Sequence, residues 1–177
     1  KIMKKLFLLT ILLFSMSTNH AIELDLDNQN EALSDLANMF YSEKNDPVYR
    51  FEALDPQKLD YSVESLKFID KYLLDLKKNN LDQISDDQRF KTVLRTGAYV
   101  GETIRKNDKN TNWHWVDYET AKELNPELFN NLDHSIELAA VLTDGEHFIF
   151  PLNKVVKFLK NGEEDSLYFF ATTAMKF

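Results

Sequence analysis

Among residue types that do chemistry, carboxylates are the ones this chain holds in quantity: 29 Asp and Glu stand against 21 Lys and Arg, with four histidines and no cysteine. Two carboxylates held across a cleft can act as general acid and base, or as acid and nucleophile, in glycoside hydrolysis. Glu102, paired with Asp117 or Glu119, is the candidate. Abundance argues against it, since most carboxylates in so acidic a chain are solvated surface charge. Other chemistries fall by elimination. Without cysteine there is no thiol nucleophile, and His114, His134 and His147 lie in separate segments without metal-ligand spacing. No His-Glu-x-x-His helix, Gly-x-Ser-x-Gly elbow or phosphate loop occurs. The expectation is a protein without metal or cofactor that acts by binding.

Three features are candidates for that binding. Trp113 and Trp115 stand two apart on one strand face, either packed in the core or presented to stack on a sugar or anchor a partner. Glu163, Glu164 and Asp165 form an acidic run, either complementing a helix N-terminus or docking a basic partner. Gly97 and Gly101 sit four apart in a helical stretch, where each costs about 1 kcal/mol relative to Ala. They ask for close packing by another element where a Cβ would clash, or for a ligand against bare backbone beside Glu102.

The elements that position these residues follow from patterning. Lys1, Lys4 and Lys5 precede an apolar run from Leu6 to Phe14 and a polar stretch to Ala21, the three-part plan of a secretory signal peptide. The run falls well short of the roughly 20 apolar residues of a membrane span. Cleavage is expected after Ala21, with Ser17 as the alternative. The expected organisation is a signal peptide over 1–21, an acidic segment with a short helix over 22–58, and a single α+β domain over 59–177 in the periplasm or outside the cell. Losing residues 1–21 removes three lysines and no acid, taking the net charge from -8 to -11. Such a charge repels nucleic acid and anionic membrane surfaces and favours a partner with a basic surface.

Leu33, Leu36, Met39 and Phe40 predict a helix over 31–41, and Val48 to Leu54 an extended segment. Ser62 caps a helix with Val63, Leu66, Ile69, Leu73 and Leu76 on its inner face. Ser85-Asp86-Asp87-Gln88 is a capping box for a second, with Phe90, Val93, Leu94, Gly97, Val100, Gly101 and Ile104 along one side. Strands are expected around Trp113 to Asp117 and Ile136 to Leu142, the latter joined by a turn at Asp144-Gly145 to His147 to Phe150. Pro151 starts a helix that Asn161-Gly162 ends, and the segment from Glu163 is either helix or, near Tyr168 to Thr173, an edge strand. The fold class is α+β: N-terminal helices packed on a small antiparallel sheet, with C-terminal helices.

Several short motifs occur in a consistent order: Ser65-Leu66 with Asp70, Gly97-Ala98-Tyr99-Val100-Gly101-Glu102, Trp113 to Trp115, Phe150-Pro151 with Lys154-Val155, and Asn161-Gly162-Glu163-Glu164-Asp165-Ser166-Leu167. Together they resemble an uncharacterised bacterial domain family, over about Asp60 to Phe170. Its members share a Gly-Ala-Tyr-x-Gly-Glu motif and a late Asn-Gly-x-x-Asp-Ser-Leu motif. The resemblance implies no chemistry; some relatives resemble accessory or immunity proteins. Export, negative charge and the lack of an assembled catalytic motif point to an inhibitor or immunity protein that captures a toxin or envelope enzyme. The alternatives are an envelope hydrolase using Glu102 and a carbohydrate or peptidoglycan binder using Trp113 and Trp115.

Overall fold

Helix α1, over 26–42, opens the computed structural model, which describes residues 26–79 and 84–176. The expected signal peptide and both cleavage sites lie outside those residues. α1 is longer than the predicted 31–41, and Ala37 and Phe40 enter the main core. The next segment is not extended as expected. Arg50 adopts a left-handed conformation with φ 52, and a single 3-10 turn, Phe51–Ala53, follows.

Serines set the starts of the two long helices. Ser62 Oγ accepts the Ser65 amide, opening the 3-10 turn Val63–Ser65 that leads directly into α2, Leu66–Lys78. Ser85 Oγ accepts the Gln88 amide at the head of α3, Asp86–Asn107. Both bonds satisfy amides that a helix start leaves without partners. In α2 the buried face is Leu66, Ile69, Tyr72, Leu73 and Leu76. In α3 burial goes beyond a face: every residue from Arg95 to Ile104 is buried. Thr92, Thr96 and Thr103 tolerate this because each hydroxyl donates to the carbonyl four residues back. Phe90, expected on the inner side, is 48% exposed, while Gln88 and Lys91 of the same turns bond to Pro47 and Asp46.

The sheet runs β1 (His114–Asp117), β2 (Ala140–Thr143), β3 (Phe148–Ile149) in that spatial order, all antiparallel. Trp115 faces Leu142 across β1 and β2, and Leu142 pairs with Ile149 across β2 and β3. Between β1 and β2 lie α4 (Tyr118–Leu124) and α5 (Pro126–Phe129). The predicted strand from Ile136 to Leu142 is only half strand: Ile136–Leu138 is a 3-10 turn, and pairing starts at Ala140. α6 (Pro151–Asn161) starts on its proline and ends at Gly162, and α7 (Leu167–Ala174) closes the chain as a helix, excluding the edge strand.

The sheet is covered on both faces. Trp115, Leu142 and Ala140 join the main cluster with α1, α2, α3, α6 and α7, while Val116, Val141 and Leu138 join Tyr118, Ala121 and Phe129 in a second. β1 is an edge strand, and α1 occupies its free hydrogen-bonding side. Asn30 Oδ1 accepts the Trp115 amide at 2.8 Å and Gln29 Oε1 the Asp117 amide at 2.7 Å. An edge paired by side chains cannot recruit another strand. Described residues on either side of position 58, such as Phe40 and Leu73, thus share one core, and Asn30 of α1 bonds the sheet edge.

Candidate functional site

Glu102 lies where α3 passes behind β1, with 2% of its surface exposed. Its Oε1 accepts the Trp115 indole N–H at 2.9 Å and Arg105 Nη1 at 2.6 Å. Arg105 also donates through Nε to the Trp113 carbonyl at 3.0 Å, so helix and strand are clamped by one charged pair. The clamp depends on Gly101. A Cβ there would collide with Trp115 Cζ2 and Cη2 and come within 3.2 Å of Leu142 Cδ1. One turn earlier, a Cβ at Gly97 would meet Leu152, 2.7 Å from its Cδ1 and 2.9 Å from its Cα. The indole lies on bare helix backbone at the first glycine, and α6 presses on it at the second.

A second carboxylate mirrors the first. Asp108 Oδ2 accepts the Trp113 indole N–H at 2.9 Å, and Oδ1 accepts the amides of Asn110 and Thr111. Burial pushes this carboxyl up, but the Asn110 amide and the Trp113 indole outweigh it and hold the group below the usual carboxylate range. Glu102 and Asp108 both line an open polar pocket of about 480 Å³ with Arg105, Lys106, Lys109 and the loop to Trp113. The expected pairing of Glu102 with Asp117 or Glu119 is therefore corrected. Asp117 is spent capping α4, where it accepts the Thr120 amide at 2.8 Å, and Glu119 is an exposed residue of its first turn.

Both tryptophans are core residues in accessibility, Trp115 at 0% and Trp113 at 5%. Trp115 offers nothing to a sugar or partner, which corrects its assignment as a contact residue. Trp113 is different, because it forms a wall of the polar pocket and of a second cavity. That cavity, about 370 Å³, lies between the β2–β3 hairpin and α7 and is lined by Phe148, Ile149, Phe170, Thr173 and Ala174 with Thr111. At its rim Asp144 Oδ1 accepts the amides of Glu146 and His147, and Oδ2 lies 3.0 Å from His147 Nδ1. Partial burial raises Asp144, but the His147 amide and ring, with the Glu146 amide, prevail and bring it to about 2. The Asp144 carboxylate in turn raises His147.

The acidic run divides. Glu163 and Glu164 are exposed, whereas Asp165 accepts Lys154 Nζ and Asn161 Nδ2, both at 2.6 Å, and is held low by them. A larger asymmetry lies elsewhere. Residues 110–153 contain eight acids and one base, Lys122. In that stretch Leu124, Leu128 and Leu132 are 50%, 41% and 37% exposed. Leu128 and Leu132 line a groove of about 530 Å³ with Asp133, Glu137, Phe150 and Lys157. Counting charge along the sequence would have shown this asymmetry.

The residues missed from sequence are Arg105 and Asp108. Asp108, Asn110, Asn112 and Glu119 hold positions one, three, five and twelve of a calcium-loop spacing. The sixth position, which needs Gly for its sharp turn, is Trp113. Both Asp108 oxygens already accept protein donors, and no cluster of three or more His, Cys, Asp or Glu with metal-binding geometry occurs among the described residues. Likewise, no described helix is long and apolar enough to cross a membrane. The chain matches no known family, curated protein or solved structure with which it was compared.

Proposed function

We propose that the protein is exported and acts by capturing another protein through the acidic, leucine-bearing face around α4 and α5, in the manner of an inhibitor or immunity protein. The observation that carries this is the groove lined by Leu128 and Leu132 with Asp133, Glu137 and Lys157, within a stretch of sequence that holds eight acids and one base. Exposed leucines give a partner apolar surface to bury, worth about 1.5–3 kcal/mol for a side chain buried completely. The surrounding carboxylates steer a basic surface toward it and reject acidic ones. Catalysis by Glu102 finds less support, because one oxygen of that carboxylate already accepts both an indole N–H and a guanidinium.

The test is affinity capture from envelope extract with the tagged protein, comparing wild type, Leu128→Ser/Leu132→Ser and Glu123→Lys/Glu127→Lys, with Glu163→Lys/Glu164→Lys as the control. The expected result is one basic protein held by wild type and control, lost from the Leu128→Ser/Leu132→Ser and Glu123→Lys/Glu127→Lys variants, and released by salt. Capture that is absent, or equal across all variants, overturns the proposal. Fractionation and N-terminal sequencing of the product test export, which requires a first residue of Ile22 or Thr18.

A further inference from the structure

Trp113 separates two cavities of opposite character, and the pair is independent of the leucine groove. On one side, between hairpin and α7, the walls are Phe148, Ile149, Phe170 and Ala174, with hydroxyls at Thr111 and Thr173, and the Asp144–His147 pair lies at the rim with the carboxylate bonded to the His147 ring and two amides. On the other, the polar pocket gathers Arg105, Lys106 and Lys109. Its two carboxylates are internally committed: Glu102 Oε1 to Arg105 and Trp115 with Oε2 4.0 Å from Lys106 Nζ, and Asp108 to Trp113 and two amides, which leaves Lys109 as the cation in excess. Lys109 meets no carboxylate among the described residues, and its ammonium donates to the Lys106 carbonyl at 3.0 Å. A chain of net charge -8 thus has a locally cationic recess sharing Thr111 and Trp113 with an apolar one.

We infer that these two neighbouring cavities, which meet at their shared walls Thr111 and Trp113, form a binding site for a small amphipathic anion, with a short alkyl chain between Phe148 and Phe170 and an acidic head passing Thr111 toward Lys109 and Arg105. A volume of about 370 Å³ falls in the range of sites that enclose small ligands. It holds a chain of medium length and not a folded peptide. The apolar walls supply affinity, roughly 0.8 kcal/mol per buried methylene. The cations supply the choice of head group. Such a ligand could arrive as a free fatty acid or as the acidic end of a membrane lipid.

Intrinsic fluorescence tests this directly, since Trp113 and Trp115 are the only tryptophans. The folded full domain is titrated with decanoate, decanol and decyltrimethylammonium, each below its micelle concentration, and with phosphatidylglycerol vesicles by co-sedimentation. Decanoate is expected to saturate at least about tenfold more tightly than the neutral and cationic analogues, and vesicles to leave the protein in solution. Thr173→Phe, which fills the apolar half, should abolish binding of all three; exposed Lys109→Glu should erase the preference for decanoate. Circular dichroism confirms that both variants fold. Equal affinity for the three amphiphiles, no saturation, or an unchanged preference in Lys109→Glu overturns the inference. Vesicle binding without decanoate binding overturns it in favour of a surface contact.

Discussion

Replacing Gly101 with Ala sets two effects against each other. In an exposed helix the change would stabilise by about 1 kcal/mol. Here the added methyl occupies the space of Trp115 Cζ2 and Cη2. The indole is fully buried and can yield only by giving up the bond from its N–H to Glu102 Oε1 at 2.9 Å. Overpacking a rigid core costs about 1–3 kcal/mol, and losing the indole bond to a buried carboxylate adds about 1.5–3 kcal/mol. Net destabilisation is about 3 kcal/mol, or a fall in Tm of about 6–12 °C for a domain of this size. Urea unfolding followed by tryptophan emission measures it. Trp115→Phe removes the colliding atoms, so the double variant should lose at least about 1 kcal/mol less than the two single losses together. A Gly101→Ala protein as stable as wild type, or additive losses in the double variant, would refute the reading of Gly101 as a seat for the indole.

Further outcomes follow from the same geometry. Glu102→Ala strands the Trp115 indole and Arg105 and should cost about 3 kcal/mol in urea unfolding, whereas Glu102→Gln keeps an acceptor and should cost less than half as much; equal losses would show that charge alone matters there. Gly162 has φ 97 and its Cβ direction is open, the nearest atom being Lys77 Cε at 3.9 Å. Gly162→Ala should therefore lose about 1–3 kcal/mol from backbone strain alone, and Gly162→Ser the same; an unchanged Tm for either would contradict this. For the Asp144–His147 pair, the raised His147 contributes stability in full below 6.5 that is lost as pH rises through its folded value. The lowered Asp144 contributes above 3.8 and loses this as pH falls toward about 2. The pair is thus strongest between those limits, and an NMR titration should find His147 displaced downward in Asp144→Asn. An identical titration in both proteins would dissociate the ring from the carboxylate.

Local signals made much of the fold legible. Ser62 and Ser85 announce helix starts because a hydroxyl before an apolar period has amides to satisfy, and Asp144-Gly145 announces a hairpin because Gly145 takes φ 99. Errors arose where tertiary contacts override local preference. Ile136 and Leu138 are apolar at strand spacing, yet they turn because α6 packs beside them and pairing with β1 begins only at Ala140. Val116 is buried against Tyr118, Ala121 and Phe129, and nothing local in the sequence reveals that α4 and α5 cover it. At the candidate site, Glu102 was visible as an oddity beside two glycines. Its partners were not, since Trp115 lies 13 residues away on another element, and Asp108 reads as an ordinary acid until Trp113 folds back on it.

From Arg95 to Ile104, α3 is enclosed by the rest of the molecule, so these amides have no direct route to solvent. Hydrogen exchange along Arg95 to Ile104 must then wait for the whole domain to open, and these amides should exchange at a common rate set by global stability. Phe40 of α1 lies 5.7 Å from Tyr99, Leu152 of α6 covers Gly97, and Trp115 of β1 covers Gly101. Detaching any of them uncovers the same helix. Among the described residues, the packing of α1, α6 and β1 is thus tied to the shelter of α3, which couples these contacts in one cooperative opening.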